Sequence, residues 1–229
     1  YTLVSVFGGS GKPQGPTSVV ENLAFRTNDI VEELTGYTEE DLTFNLEEEA
    51  TNPLVLNEES GKYVAVNAGE VQVVINLDSK KNTKTLNITV YQQGNGSSES
   101  PYVIARAAHM KEFADLVNSV SAGKVVPEYV QLVADIDLGE YNWKPIGGQG
   151  NNEYTGTFDG NGKTIKNLSI SVNATNYVDF LTIASSNETL AYMDLGLFGR
   201  MKFATVKNLN MDNAVINVSS EIYSLIKDE

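Results

Sequence analysis

Cysteine is absent from the sequence. Disulfide bonds, cysteine-ligated metals and thiol nucleophiles are therefore excluded. This absence does not indicate the cytosol, because large secreted bacterial domains often fold without disulfides. No apolar run approaches the roughly 18 residues that a membrane-spanning helix needs, so no transmembrane segment is predicted. The chain begins with Tyr1 rather than Met, so we expect any signal peptide or lipid anchor to lie upstream of it.

Basic residues are scarce as well. The chain has 16 Lys and Arg against 30 Asp and Glu, which gives a formal net charge of −14 and a pI near 4.5. Nucleic acids and anionic membranes bind clustered basic side chains, so this balance argues against both as partners. The combination of 41% hydrophobic and 20% charged residues is that of a globular protein.

Short alternating segments fill the first 93 residues. Thr2–Phe7 alternates and is predicted as a strand, and the composition of Gly8–Pro16 predicts a loop. Gly11 and Lys12 lack the spacing of a phosphate-binding loop, so only a turn is predicted there. Residues 21–60 are acidic, which indicates a solvated face rather than a calcium site. Short strands separated by turn clusters predict a β-sandwich over residues 1–93.

A more particular pattern lies in residues 53–91. The segment contains Gly61-Lys62-Tyr63-Val64-Ala65-Val66-Asn67-Ala68-Gly69, then Val71-Gln72-Val73-Val74-Ile75, and finally Thr85-Leu86-Asn87-Ile88-Thr89-Val90. This order resembles the bacterial immunoglobulin-like domains of the group-two type. The resemblance implies an immunoglobulin-like sandwich that serves as a spacer or adhesive module on a cell surface.

A polar segment rich in Gly and Ser at residues 94–100 is predicted to link this domain to a second one at 101–229. A helix is predicted over about 107–121, because Phe113, Leu116, Val117 and Val120 form one apolar stripe. No side chain suited to N-cap this helix precedes it. The single histidine, His109, lies in its first turn and is predicted on the helix surface, with a general-base role as the alternative.

An internal repeat follows in the second domain. Thr164-Ile165-Lys166-Asn167-Leu168-Ser169-Ile170 returns 41 residues later as Thr205-Val206-Lys207-Asn208-Leu209-Asn210-Met211. Such repeats are typical of stacked β-rungs, so the apolar residues of each copy are predicted to fill one inward layer. Asn167 is predicted to stack on Asn208 at a bend. Five glycines are predicted to form corners with positive φ: Gly156, Gly160, Gly162, Gly196 and Gly199.

The wider order of motifs is more specific. The chain contains Pro101-Tyr102-Val103-Ile104, the helix, Ala134-Asp135-Ile136-Asp137-Leu138, Trp143-Lys144-Pro145-Ile146-Gly147, Gly156-Thr157-Phe158-Asp159-Gly160-Asn161-Gly162 and Gly196-Leu197-Phe198-Gly199. Over residues of about 100–218 this order resembles the GLUG-motif proteins, which are bacterial surface proteins common in gut Bacteroides-type organisms. The resemblance implies a short right-handed parallel β-helix with one capping α-helix. The chain departs from the pattern at Ala105 and Arg106 and in the long segment 173–194.

Three aspartates are the candidates for catalysis. Asp135 and Asp137 point to the same side of a strand, and paired carboxylates are the equipment of glycoside hydrolysis. Their place beside Gly139 favours the simpler prediction that they accept hydrogen bonds from turn N–H groups. Asp159 opens the turn Asp159–Gly162, for which a calcium loop is the alternative interpretation.

The two resemblances imply a non-enzymatic adhesin-like protein without a cofactor, secreted or held on the outer surface by a lipid anchor. The acidic, cysteine-free composition and the lack of a recognisable catalytic constellation are in line with that expectation. The expected partner is a glycan or protein on a host or neighbouring cell. The long segment between the two repeats is the predicted contact region, since long loops often carry function. Its candidate residues are Tyr177, Asp179, Phe180 and Tyr192. Packing of Phe180 onto the β-helix, a polysaccharide lyase or hydrolase, and a purely structural stalk remain the alternatives.

Overall fold

The computed structural model describes residues 18–48, 50–77, 82–119, 126–148, 152–183 and 191–222. The described chain is mainly β with one α-helix, which confirms the predicted fold class at that level. None of its helices has the length and apolar composition that crossing a bilayer requires. The predicted strand Thr2–Phe7 and the loop after it lie outside the described residues.

The elements fall into two groups along the chain. The first group contains β1 (Ser18–Arg26), β2 (Leu42–Asn45), β3 (Leu54–Asn57), β4 (Lys62–Ala65), β5 (Gly69–Leu77) and β6 (Asn82–Tyr91), with 3-10 turns at Glu32–Leu34 and Glu39–Asp41. The second contains β7 (Tyr102–Ile104), α1 (Ala107–Asn118), β8 (Tyr129–Leu132), β9 (Ile136–Asp137), β10 (Thr157–Asp159), β11 (Thr164–Lys166), β12 (Ser169–Val172), a 3-10 turn (Tyr177–Phe180), β13 (Leu181–Ile183), β14 (Ala191–Met193), β15 (Thr205–Lys207), β16 (Asn210–Asp212) and β17 (Val215–Val218).

The N-terminal unit, residues 18–91, is built on a four-stranded sheet in the order β1-β6-β5-β2. Strand β1 runs parallel to β6, and the other neighbours are antiparallel. The alternation in β6 places Leu86, Ile88 and Val90 on one face, where each is at most 2% exposed. A hairpin of β3 and β4 contributes to the same core. The polar side chains between the buried ones consequently form the outer face of the sheet.

Three parallel ladders form the C-terminal unit, residues 102–222. Their strand orders are β7-β8-β10-β15, β9-β11-β16 and β12-β17. Every pairing within them is parallel, and Tyr102, Val130, Phe158 and Val206 occupy successive levels of the longest ladder. The ladders surround one hydrophobic core, separate from that of the N-terminal unit. The insert between β12 and β15 leaves the ladders and forms an antiparallel hairpin of β13 and β14.

Helix α1 packs one face into this second core. Met110, Phe113 and Val117 are at most 1% exposed, whereas the predicted stripe residue Leu116 is only partly buried. The helix ends at Asn118, and the predicted residues beyond 119 are outside the described chain. Its first turn has no side-chain cap, as predicted. The segment 94–100 folds back on itself, with the N–H groups of Asn95 and Gly96 both donating to the carbonyl of Ser100.

The predicted stacking of Asn167 on Asn208 is wrong. In the ladder, Thr164 lies beside Asn210, and the side-chain amide of Asn213 donates to that of Asn167 over 2.7 Å. Asn167 has a φ of 56° and also donates to the carboxylate of Asp137. Asn208 forms a different corner and donates to Asp159. The repeated sequence therefore marks two different corners, the one after β11 and the one after β15, not two equivalent positions in adjacent rungs.

The last rung departs from the prediction of a filled inward layer. Val206 and Met211 are 38% and 42% exposed, and Ile216 is 45% exposed. Strands β15, β16 and β17 each have a described neighbour on one side, so no described strand covers their apolar side chains. Ile222, just beyond them, is buried in the core.

Only two of the five predicted corner glycines have positive φ, namely Gly162 at 72° and Gly196 at 155°. Gly160 is instead required by close packing, because a Cβ there would lie 2.5 Å from the carbonyl oxygen of Asn208. Gly156 is restricted in the same way by the carbonyl oxygen of Glu128. The rungs approach each other too closely at these two positions for a side chain.

The Asn167 corner gives a test of the ladder. The change Asn167→Ala should lower the free energy of unfolding by about 2–3 kcal/mol, because it places alanine in the left-handed region and removes the bonds to Asp137 and Asn213. Asn167→Gly keeps the backbone freedom and should cost only about 1 kcal/mol. Asn217→Ala, at an exposed position in β17, should stay within about 0.5 kcal/mol of the wild type. Urea unfolding measures all three, and equal losses for the Ala and Gly variants would contradict the backbone argument.

Candidate binding cleft at the junction of the two units

The four predicted contact residues of the insert have mainly internal partners. Phe180 is 4% exposed and belongs to the C-terminal core, as in the alternative that it packs onto the rest of the domain. Tyr177 packs partly buried against the same core. Asp179 pairs with Lys144 at 3.2 Å, and the guanidinium of Arg200 lies 4.9 Å from the ring centre of Tyr192. Tyr192, 38% exposed, presents the most accessible aromatic surface of the four.

The three candidate aspartates hold the corners of the ladders, as the simpler prediction had it. Asp135 accepts from the N–H of Thr164, Asp137 from that of Gly139, and Asp159 from that of Asn161. The bond from Thr164 lowers the pKa of Asp135, and the bonds from Asn167 and Gly139 lower that of Asp137. A general acid in glycoside hydrolysis needs a raised pKa, so these shifts have the opposite sign.

For Asp159, burial alone would raise the pKa, but hydrogen bonds from Asn208 and Asn161 and the nearby Lys207 lower it on balance. The carboxylate lies 3.2 Å from the ammonium of Lys207. Among the described residues no three His, Asp or Glu side chains are grouped as ligands for a metal ion. The turn Asp159–Gly162 is held by these protein contacts.

The prediction that His109 lies on the helix surface is wrong. It is buried at the junction of the two units. Its side chain is 4% exposed and its Nε2 lies 2.9 Å from Oδ2 of Asp29, in the loop after β1. Nδ1 of His109 accepts the N–H of Ala105, so the proton of the neutral ring is on Nε2 and is donated to Asp29. The histidine was misplaced because its partner lies 80 positions earlier in the chain, beyond the reach of local periodicity.

Two arginines cross the junction in opposite directions. Arg26 of the N-terminal unit donates to Glu112 of α1 over 2.6 Å, and its guanidinium lies 5.1 Å from the ring centre of Tyr102. Arg106 of the C-terminal unit donates to Glu33 over 2.9 Å and lies over the ring of Phe25 at 4.4 Å. Each charge thus has both a carboxylate and an aromatic ring. Such contacts gain strength where water is excluded.

A cleft of about 1360 Å³ opens beside this junction. One wall is the outer face of the four-stranded sheet, and the other is formed by the start of α1 and the segment 134–141. Two half-buried tyrosines, Tyr91 and Tyr141, also line it. A concave site that combines aromatic surface with convergent polar groups is typical of ligand binding.

The sheet wall carries an amide row, defined here as Asn45, Gln72, Asn87 and Asn22. These residues lie directly opposite one another on β2, β5, β6 and β1. Their side chains form a one-way chain in which Asn45 donates to Gln72, Gln72 to Asn87 and Asn87 to Asn22, over 3.1, 3.1 and 2.9 Å. Each amide is therefore held in a fixed orientation by its neighbour.

Acidic side chains dominate the charge of the cleft. Eight carboxylates line it, against three basic side chains, Arg26, Arg106 and His109. The carboxylates are Asp29, Glu32, Glu47, Glu70, Glu112, Asp135, Asp137 and Glu140. The three basic groups are already paired with Glu112, Glu33 and Asp29. The cleft as a whole therefore disfavours an anionic ligand.

Comparison with known proteins finds only distant relatives. No family model matches the chain, and no solved structure matches it. Halomucin from Haloquadratum walsbyi is 27% identical over 168 residues, which cover 69% of this chain and 2% of halomucin. A protein of Evansella cellulosilytica described as "Putative Gly-rich membrane protein" is 31% identical over 113 residues, which cover 47% of this chain and 12% of that protein. The chain thus spans a small part of the length of the curated relatives that it matches.

The buried contact between Asp29 and His109 should stabilise the junction. We expect Asp29→Asn to lower the free energy of unfolding at pH 7 by about 1–3 kcal/mol, because it removes the charge that accepts from His109 and from the N–H of Arg26. Glu21→Gln, which breaks the exposed pair with Lys84, should cost less than about 1 kcal/mol. Urea unfolding of both variants measures the difference.

The same contact predicts a pH dependence. Burial alone would raise the pKa of Asp29, but the bonds from His109 and from the Arg26 N–H lower it on balance. A lowered pKa adds stability that is present above the ordinary value of 3.8 and is lost as the pH falls through the folded-state pKa. The difference in the free energy of unfolding between wild type and Asp29→Asn should therefore become smaller below pH 3.8. A gap that stays constant from pH 7 down to acid unfolding would contradict the assignment.

Proposed function

We propose that the chain is a non-enzymatic, adhesin-like binding protein of the cell exterior, and that it binds a glycan or protein ligand in the cleft between its two units. The observation that carries this proposal is the cleft itself, with its ordered amides, two tyrosines and uncompensated carboxylates. The cleft does not lie at the insert, which the sequence analysis predicted as the contact region. Phe180 and Tyr177 of that insert are committed to packing.

The proposal includes a finer description of the fold. We propose that the N-terminal unit is an immunoglobulin-like sandwich of the group-two type and that the C-terminal unit is a right-handed parallel β-helix of the GLUG type, with α1 as its cap. The sheet and hairpin around one core support the first assignment. The three parallel ladders support the second. In this description the strands of the three ladders are the sides of successive turns of one coil, and the β13–β14 hairpin is an insertion.

A non-enzymatic role is supported by the state of the candidate aspartates. Each accepts hydrogen bonds from the protein and has a lysine partner or an asparagine partner at its corner. Their lowered pKa values fit carboxylates that hold backbone turns. The description of one relative as a "Putative Gly-rich membrane protein" is in line with a surface location.

A binding screen with two matched variants tests the proposal. The purified chain is applied to arrayed neutral, uronic-acid and sulfated glycans and to extracellular matrix proteins. Asn45→Trp fills the cleft from the exposed face of β2 and should weaken binding by about tenfold or more. Thr43→Trp lies two residues earlier on the same face, outside the cleft lining, and should leave binding unchanged. Both variants gain the same strand-favouring side chain.

The outcomes separate the alternatives. Loss of binding in Tyr192→Ala with no loss in Asn45→Trp would transfer the site to the insert and contradict the cleft. Absence of binding to every arrayed ligand would leave the stalk as the better description. Release of reducing ends or unsaturated sugars from any glycan, abolished in an Asp135→Asn, Asp137→Asn double variant, would replace binding by catalysis.

A further inference from the structure

The amide row has donors and acceptors that its internal hydrogen bonds do not use. An amide has two N–H donors and an oxygen with two lone pairs, and each inner member of the row uses one donor and one lone pair on its neighbours. One donor and one acceptor remain on each of Gln72 and Asn87. Adjacent strands lie about 4.8 Å apart, so these groups recur at that interval across the wall of the cleft.

This arrangement matches the chemistry of hydroxyl groups. A sugar hydroxyl donates one hydrogen bond and accepts others, so it pairs with an amide that offers both functions side by side. Because neighbouring amides already fix one another, ordering them costs little on binding. The row runs across the strands, at right angles to the direction in which a polypeptide would pair with a sheet.

The charges of the cleft restrict the ligand further. Glu47, Glu70 and Glu140 line it without an ion pair among the described residues. They would repel a uronic acid or a sulfate ester, and both arginines of the cleft are already paired. The half-buried Tyr91 and Tyr141 line the cleft, and the exposed part of each ring offers apolar surface for the C–H face of a sugar ring.

We infer that the cleft binds an uncharged carbohydrate chain laid along the amide row, with Gln72 and Asn87 as its central contacts. The inference rests on the proposed function, because it names the ligand class of the same site. The ligand carries no charge, and its recognition depends on side-chain amides rather than on the carboxylates around them.

Calorimetric titration of the purified chain tests this inference. The probes are short neutral glucan, mannan and galactan fragments, a uronic-acid oligosaccharide and a lysine-rich peptide. At least one neutral fragment should bind, with an affinity that changes less than about twofold between about 50 mM and 500 mM salt, since no ion pair forms. Gln72→Met keeps the size of the side chain but removes its amide, and it should weaken that affinity about tenfold. Thr43→Val, on the same face outside the cleft, should change it less than twofold, a difference of less than about 0.5 kcal/mol.

The outcomes separate failure of the uncharged-carbohydrate proposal from failure of the proposed binding function. Binding only of the uronic-acid fragment or the lysine-rich peptide, or only of a matrix protein in the binding screen described above, would overturn the uncharged carbohydrate while leaving a binding function. Neutral-sugar binding that Gln72→Met and Asn45→Trp both leave intact would overturn the amide row as the contact surface. Binding of none of these ligands would overturn both. Unchanged circular dichroism of the variants excludes misfolding as the cause of any loss.

Discussion

The exchange of two arginines across the junction is the interaction on which the arrangement of the two units depends. The cores of the units are separate, so apolar packing within each of them does not fix how they meet. Arg26 and Arg106 each leave their own unit to lie on an aromatic ring and a carboxylate of the other. His109 adds a third contact, to Asp29. Because hydrogen bonds are directional, these contacts orient the two units as well as holding them together. The cleft has a defined width because its two walls are held by these oriented bonds.

Local patterns predicted much of the fold, and the limits of locality explain the errors. The alternation of β6 and the apolar stripe of α1 are visible within ten residues, and both were predicted close to where they lie. The junction is different, because Arg26 and Glu112 are 86 positions apart and Arg106 and Glu33 are 73 apart. The local sequence around an arginine is the same whether its side chain is solvated or paired with a carboxylate far along the chain. His109 was therefore predicted on a surface, where most such residues lie.

The internal repeat shows how a correct pattern can be assigned to the wrong period. A strand of three residues followed by Asn and Leu appears at Thr164 and again at Thr205, yet β11 pairs with β16 and β10 with β15. Asn167 and Asn208 both have left-handed backbone because each turns a corner, and a corner occurs more than once in a rung. The repeated motif is thus a strand and the corner after it, and its two copies lie in different ladders. The corner Gly160–Lys163 lies against a shorter corner formed by Asn208 and Leu209, and this difference in length separates the register from the 41-residue repeat.

The amide row and the N-terminal core are opposite faces of the same strands, which links the candidate site to stability. In β5, Val71, Val73 and Ile75 are buried, and Gln72 between them faces outward. A slip of one residue between β5 and β6 would bring the polar set inside and the valines outside, at a cost of several buried apolar side chains. The burial of Leu86, Ile88 and Val90 therefore sets Asn87 opposite Gln72. The hydrophobic core thus aligns the row before any ligand arrives, so the site requires no flexible loop to assemble it.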